Sequence, residues 1–215
     1  MKYSEILNGF DERYIKKDGK PMFFIYTVAD IPHANEMFEL WNKLARVNGL
    51  PGIHLVSINE EVNNVPAIEA IAHYGFHKAS RSSLSGIGTK AFFKIKRELA
   101  GIFNLGSLKK DAWDYEKMWQ LVLRVEPYGN FPNYPGAFVN YDDTPRKGTL
   151  GTVMKGATPE LFGKYLKLQL KRAGSIFNSE YVLLDAWNEW GEGNYLEPDE
   201  EYGYEYLEAL RDAIQ

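Results

Sequence analysis

The sequence predicts an α/β fold built from about four to five βα units around a parallel sheet. Short apolar, β-prone runs alternate along the chain with segments whose apolar residues recur at helical spacing. Gly, Pro, Asn and Asp separate these runs where a chain must turn. The length of 215 residues suits one domain with a sizeable core. It falls short of the about 250 residues typical of a closed (β/α)8 barrel. A half-barrel, a fragment of a barrel and an open sheet all fit this pattern.

The first strand is Met22–Val28, preceded by the turn signal Asp18-Gly19-Lys20-Pro21. Ala34–Asn48 carries Met37, Phe38, Trp41, Leu44, Ala45 and Val47 at helical spacing, and Gly49 stops it. Gly52–Ile58 is a second strand, and Val65–Tyr74 reads as a short helix before Gly75. Phe76–Ala79 is a possible further strand, and 79–86 reads as an exposed loop. Eight Lys/Arg and one Glu lie between Lys78 and Lys110, as a solvated face or a site for an anionic group such as a diphosphate. Asp114–Arg124 is a helix and Tyr134–Asn140 a strand. Thr158-Pro159-Glu160 combines an N-cap, a proline in the first turn and an acid facing the helix dipole. That helix runs to about Arg172, with Gly174 as its stop. Tyr181–Trp187 is the clearest buried strand, and a last helix spans about Tyr202–Ile214.

Composition excludes several classes. A net charge of −4 speaks against a nucleic-acid binder, and the aromatic content of 14% against a disordered chain. No apolar run is long enough to span a bilayer. The absence of Cys removes disulfides, thiolate catalysis and Cys-ligated zinc. Met1–Glu5 lacks the apolar core of a signal peptide, which makes a cytoplasmic location the default expectation. His33, His54, His73 and His77 have no metal-ligand spacing, and no phosphate-loop, dinucleotide or serine-elbow motif is present.

The densest chemistry follows the last strand, in Asp185-Ala-Trp-Asn-Glu-Trp-Gly-Glu-Gly-Asn-Tyr-Leu-Glu-Pro-Asp199. Parallel sheets place active sites at the carboxyl ends of their strands. Glu189 and Glu192, three apart, point the same way if the backbone turns helically. Two such acids repel, so one holds a proton while the other is ionised, which is the pairing glycoside chemistry uses. Trp187 and Trp190 can wall the site and stack on a sugar, with Asn188 and Tyr195 beside them. The plain alternative is a helix cap at Glu189 and a solvated Glu192. A second group, Asn140-Tyr-Asp-Asp-Thr-Pro-Arg146, follows the preceding strand. Asp142, Asp143 and Arg146 either bind sugar hydroxyls, orient a catalytic carboxylate, or simply make a turn. Tyr26, ending the first strand, is either a pocket residue or a core tyrosine.

The segment Asp185–Asp199 resembles the signature of the WbsX-like glycosyltransferase family, which is related to glycoside hydrolase family 99, the endo-α-mannosidases. Arg13–Pro21 through Tyr26, Tyr141–Arg146, Thr158–Phe162 and Tyr202–Leu207 resemble it in the same order, with Tyr141 and Asp143 where the family has Trp and Asn. The resemblance covers nearly the whole chain and is weakest over about 78–130. It implies a (β/α)8 TIM-barrel type of fold and action on glycans in bacterial surface polysaccharide or lipopolysaccharide O-antigen assembly. It also implies that no metal or organic cofactor is needed. Glu189 takes the place of the base that acts on the sugar's own 2-hydroxyl in the hydrolase relatives, and Glu192 that of the general acid. Transferase, hydrolase and non-catalytic glycan-binding readings stay open. Full family members carry a further amino-terminal half. On that picture the barrel here is incomplete, and a partner chain or self-association is expected to complete it.

Overall fold

The computed structural model describes residues 12–59, 62, 64–76, 79, 111–148 and 151–215. The chain divides into two compact units, Met1–Ala72 with Tyr128–Asn133, and His73–Pro127 with Tyr134–Gln215. The fold is mixed α/β.

In the first unit, β1 (Lys16–Lys17) and β2 (Lys20–Ile25) form a hairpin in which Lys17 pairs with Lys20. The two loop residues, Asp18 and Gly19, have φ of 51° and 76°, the left-handed pair that a tight hairpin turn requires. Lys20 and Pro21 therefore belong to the strand rather than to the turn. The strand ends at Ile25, and Val28 enters a short 3-10 turn, Val28–Asp30. The helix α1 (Ala34–Val47) turns Phe38 and Ala45 inward against Ile25, Val28, Ile53, Leu55, Val65 and Ile68. It leads to β3 (His54–Ile58), which runs parallel to β2 and is buried over its first four residues, as a strand covered on both faces must be.

The segment expected as a helix at Val65–Tyr74 is instead β4 (Ile68–Ala72), parallel to β3. Ala and Glu favour a helix there and Ile a strand, and the neighbours decide. Glu69 is held by Lys20 Nζ (2.7 Å) and His54 Nδ1 (3.0 Å), one from each of the two preceding strands, and Ala70, Ile71 and Ala72 are fully buried. The Ile71 N–H then donates to the Pro132 carbonyl (2.9 Å), so the sheet order continues past β4 into a later strand.

In the second unit, β5 (Asp111–Asp114) runs into α2 (Tyr115–Val122), and the Asp114 carboxylate caps the helix by accepting the Lys117 N–H (2.9 Å). The single strand expected over Tyr134–Asn140 is two, β6 (Asn133–Tyr134) and β7 (Gly136–Phe138), because Pro135 interrupts the ladder. After a one-turn helix, α3 (Thr144–Lys147), comes β8 (Thr152–Lys155), a strand the sequence pattern did not reveal, parallel to β5. The helix α4 (Pro159–Ser175) starts as expected: Thr158 Oγ1 accepts the Leu161 N–H (3.2 Å) and Pro159 opens the first turn. It continues through Gly174, which has open space around it and does not stop the helix. The strand β9 (Leu183–Asp185) is parallel to β7 and shorter than the seven-residue run expected; Leu183 and Leu184 are half-buried, and only Asp185 is fully enclosed. The last helix is α5 (Glu205–Ile214), packed on α4.

The core of this unit is aromatic. Trp119 of α2 stacks on Phe138 of β7 (4.9 Å between ring centres, 20°) and on Tyr165 of α4 (5.7 Å, 8°). The Tyr115 hydroxyl donates to the Val139 carbonyl (2.7 Å), and the Gln169 amide to the Gly136 carbonyl (2.7 Å), so helices are pinned to β7 by polar bonds as well as by burial. Parallel strands joined through helices are thus present in both units. No described helix is long and apolar enough to cross a membrane. The basic segment and most of the loop at 79–86 lie outside the described residues.

Candidate functional site

The site forms in the second unit, at the carboxyl end of β9. Asp185 is the last residue of that strand, opposite Phe138, and its carbonyl accepts the Val139 N–H (3.0 Å). The Asp185–Ala186 peptide is cis. The chain then makes a small hairpin of β10 (Asn188–Glu189) and β11 (Asn194–Tyr195), with Asn188 opposite Tyr195 and Glu189 opposite Asn194. A 3-10 turn, Trp190–Glu192, and Gly193 at φ 53° close it. The α-helical turn considered for Glu189 and Glu192 is therefore replaced by a strand end and a 3-10 turn.

The charges of both glutamates nonetheless reach the same groups. The charges of Glu192 and Glu189 act on the Asp185 carboxyl and on the Tyr74 hydroxyl. Asp185 is 1% exposed. Burial, followed by Glu192 and Glu189, pushes its carboxyl up to about 6, against the opposing influence of Tyr74 and Asn194. Burial, followed by Asp185 and the two glutamates, raises the Tyr74 hydroxyl well above its ordinary value, so it stays protonated. Both Asp185 carboxylate oxygens and Asn194 Nδ2 are enclosed without a hydrogen-bond partner of ordinary geometry. The Asn194 Oδ1 accepts the N–H groups of Val139 and Asn140 (both 3.3 Å) and so ties the hairpin to the end of β7.

The second group meets the first. The Asp142 N–H donates to the Glu192 carbonyl (2.6 Å), and Arg146, on α3, forms an ion pair with the Glu192 carboxylate. Asp142 Oδ1 accepts the Thr144 N–H (2.8 Å), which starts α3 and so aims Arg146. Asp143 is 1% exposed and accepts from the Thr152 N–H (2.6 Å), the Tyr141 hydroxyl (3.1 Å) and Lys147 Nζ (2.5 Å). Burial works to raise its carboxyl, but Lys147, Thr152 and Tyr141 together hold it below the usual range. Its accepting capacity is largely taken up by the protein, as a turn-forming strut requires. Tyr141 is buried beside it, and burial with the Glu192 and Asp143 charges raises its hydroxyl too.

Of the aromatics, Trp187 is 56% exposed and Trp190 is 49% exposed. Trp190 stacks on Tyr195 (3.8 Å, 18°) and donates its indole N–H to Glu197 (2.6 Å), while the Tyr195 hydroxyl donates to Asp199 (3.1 Å). Burial and then Asp199 push the Tyr195 hydroxyl up to about 12, which keeps it a donor. Asn188 is exposed on the hairpin. Tyr26, just past β2 in the first unit, is 68% exposed and so is not a core residue. Among the described residues no three His, Asp or Glu side chains are grouped to hold a metal ion.

Sequence reasoning did not single out Asp185, Tyr74 or Asn194. An acid closing an apolar strand run was the available signal for Asp185; the other two carried none.

The raised carboxyl has a consequence for stability. A carboxyl whose folded-state pKa exceeds its unfolded value of about 3.9 binds its proton more tightly when folded. Its contribution is therefore fully present below about pH 4 and is lost as pH rises through the folded value of about 6. We expect the unfolding free energy of the wild type, measured against that of Asp185→Asn, to fall by up to about 3 kcal/mol between pH 4 and pH 7. Denaturant melts of both proteins across that range test this, and a constant difference would refute it.

The family model described as "Glycosyltransferase WbsX" matches residues 3–210. Proteins of two strains of Xanthomonas campestris pv. campestris, each named "Uncharacterized protein WxcX", are 24% identical to this chain over 204 residues, which is 94% of it. The chain spans 28% of the length of those relatives. With the family model covering nearly every residue from end to end, the chain belongs to the glycosyltransferase WbsX family.

Proposed function

We propose that this chain acts on glycosidic bonds during assembly of a bacterial surface polysaccharide, with Glu189 and Glu192 as the reacting pair at the carboxyl end of a (β/α)8-type sheet. The observation that carries this reading is the acidic end of a parallel strand, where the charges of Glu192 and Glu189 act on the enclosed Asp185, with two half-exposed tryptophans in the same segment. Burial and the two glutamate charges keep a proton on Asp185 up to about pH 6, so the strand end can carry a proton close to neutrality. Glu189 lies on the exposed hairpin strand, where a sugar hydroxyl can reach it and give up a proton. Glu192 is paired with Arg146. An anionic donor group that draws Arg146 away frees the Glu192 carboxyl from its ion pair, so that, once it has taken a proton from water, it can meet the leaving oxygen. Trp187 and Trp190 offer flat apolar faces to the C–H side of a sugar ring.

Transfer to a sugar acceptor is the reaction the family description favours. Hydrolysis of the endo-α-mannosidase kind is the second reading. It rests on the resemblance of Asn188-Glu-Trp-Gly-Glu-Gly193 to the paired-glutamate stretch of family-99 enzymes. The test is to screen the purified chain against α-mannosides and nucleotide-sugar donors, with glycan binding followed by quenching of tryptophan fluorescence. A glycosylated acceptor identifies a transferase and a free reducing sugar a hydrolase. Folded protein that neither binds nor turns over any glycan would sink the reading.

A further inference from the structure

Asp185 is almost fully enclosed, and although Tyr74 and Asn194 act on it, neither of its oxygens makes a hydrogen bond of ordinary geometry, whereas buried polar groups are almost always well paired. Its enclosure is built rather than incidental. Gly75 stands against the carboxylate at φ 51°, and a Cβ there would come 2.6 Å from Asp185 Oδ2, so the backbone after Tyr74 is shaped to make room for that group. Asn194, which also acts on the carboxylate, is itself fully buried, and its amide nitrogen makes no hydrogen bond of ordinary geometry. The same Asn194 holds the β7 end through its oxygen and sits directly opposite Glu189 in the hairpin. A displacement of Asn194 is therefore passed to Glu189 by the strand pairing and to Asn140 by a backbone bond.

We infer that Asp185 is a positioning residue, acting through Asn194 and Tyr74 to set the placement of Glu189, and that its charge state is coupled to those of Glu189 and Glu192. The inference rests on the reading of the two glutamates as the reacting pair. Tyr74 from the segment after β4 and the neutral Asn194 on β11 hydrogen-bond toward Asp185, and the charges of Glu192 in the 3-10 turn and Glu189 on β10 act on it. Phe138 and Val139, on the β7 side, are apolar and buried. With both glutamates ionised, a proton on Asp185 relieves the repulsion, and the carboxyl then offers Asn194 one hydroxyl and one carbonyl oxygen. When a glutamate loses its charge, the proton on Asp185 is released more easily. The full carboxylate then draws on both Asn194 Nδ2 and Tyr74, which tightens the hairpin. The raised carboxyl agrees with this order of events.

The coupling can be read without any substrate. Carboxyl-carbon NMR of the full chain, assigned with Asp185→Asn, follows the Asp185 titration directly. We expect its midpoint near 6, moved to lower pH in Glu192→Gln and in Glu189→Gln. We also expect the backbone amide signals of Glu189 and Asn194 to titrate with the same midpoint in the wild type and to lose that step in Asp185→Asn. Should Asp185→Asn fail to fold, the two glutamine variants still decide the matter. An Asp185 midpoint near the ordinary value of about 3.9, or one unmoved by both variants, would overturn the inference. A merely structural aspartate would leave the amide signals of Glu189 without the shared step. If the coupling is found and no glycan is turned over, the functional reading fails alone. If turnover is found without the coupling, this inference fails alone.

Discussion

Glu189→Gln and Glu192→Gln should each lower turnover by about 10²–10⁴-fold, the range for loss of a positioned acid or base, while glycan affinity changes only a few-fold. Glutamine keeps the shape and the accepting oxygen of glutamate but can neither take nor give the reaction's proton. Glu189 lies on an exposed strand, so its replacement leaves the packing intact. Glu192 loses its ion pair with Arg146, whose side chain is 53% exposed. A pair screened to that extent adds little to stability, so the melting temperature should hardly move. Initial rates beside calorimetric binding separate the two effects. A glycan-binding protein without catalysis would show no turnover in the wild type and similar affinity in both variants. Full turnover in both variants would remove the glutamates from the reaction. The double variant should lose little more than the worse single one, since an acid and a base that act together in one step are not additive.

The meeting of the two strand-end loops was the most legible part of this molecule. Two segments 40 residues and more apart in sequence each looked like a strand-end site, and the structure joins them through Arg146 and Glu192 and through the Asp142 N–H bond to the Glu192 carbonyl. Helices with strong local signals were legible too. Thr158 and Pro159 open α4 by capping, which needs no knowledge of the rest of the chain. What failed was whatever depended on distant neighbours. β4 carries helix-forming residues and becomes a strand because Lys20 and His54 hold Glu69 in the sheet. β8 is four residues long, with only Met154 fully buried, so no periodicity marks it; it exists because β5 lies alongside. The extended reading of Tyr181–Trp187 missed that an acid, rather than an apolar residue, takes the most enclosed position at the strand's end. Asn194 escaped notice for a related reason, because its role lies in the atoms it faces.

Trp119→Ala should cost about 3–5 kcal/mol of stability, the usual range for removing a buried large aromatic. Trp119 is fully buried, and its ring is sandwiched between Phe138 and Tyr165, one from the sheet and one from α4. Alanine removes both stacks together with the apolar contacts that join α2 to α4. The surrounding residues cannot collapse freely, because Tyr115 and Gln169 hold the strand on which Phe138 sits by fixed hydrogen bonds. Much of the vacated volume should therefore remain as a cavity. A loss of that size is a large fraction of the about 5–15 kcal/mol that stabilises a typical domain, so urea melts should show an early midpoint. The damage also has a direction. Phe138 pairs in register with Asp185, and the next residue, Val139, donates to the Asp185 carbonyl and to Asn194. Loss of the Trp119 stack should thus loosen the strand end that holds Asp185 and Asn194, and the amide signals of Glu189 and Asn194 should broaden before the protein unfolds globally. Trp119→Phe, which preserves an aromatic contact with Phe138, should restore those signals and most of the stability. If Trp119→Ala unfolds at the wild-type midpoint, the aromatic sandwich is not what holds β7 in place.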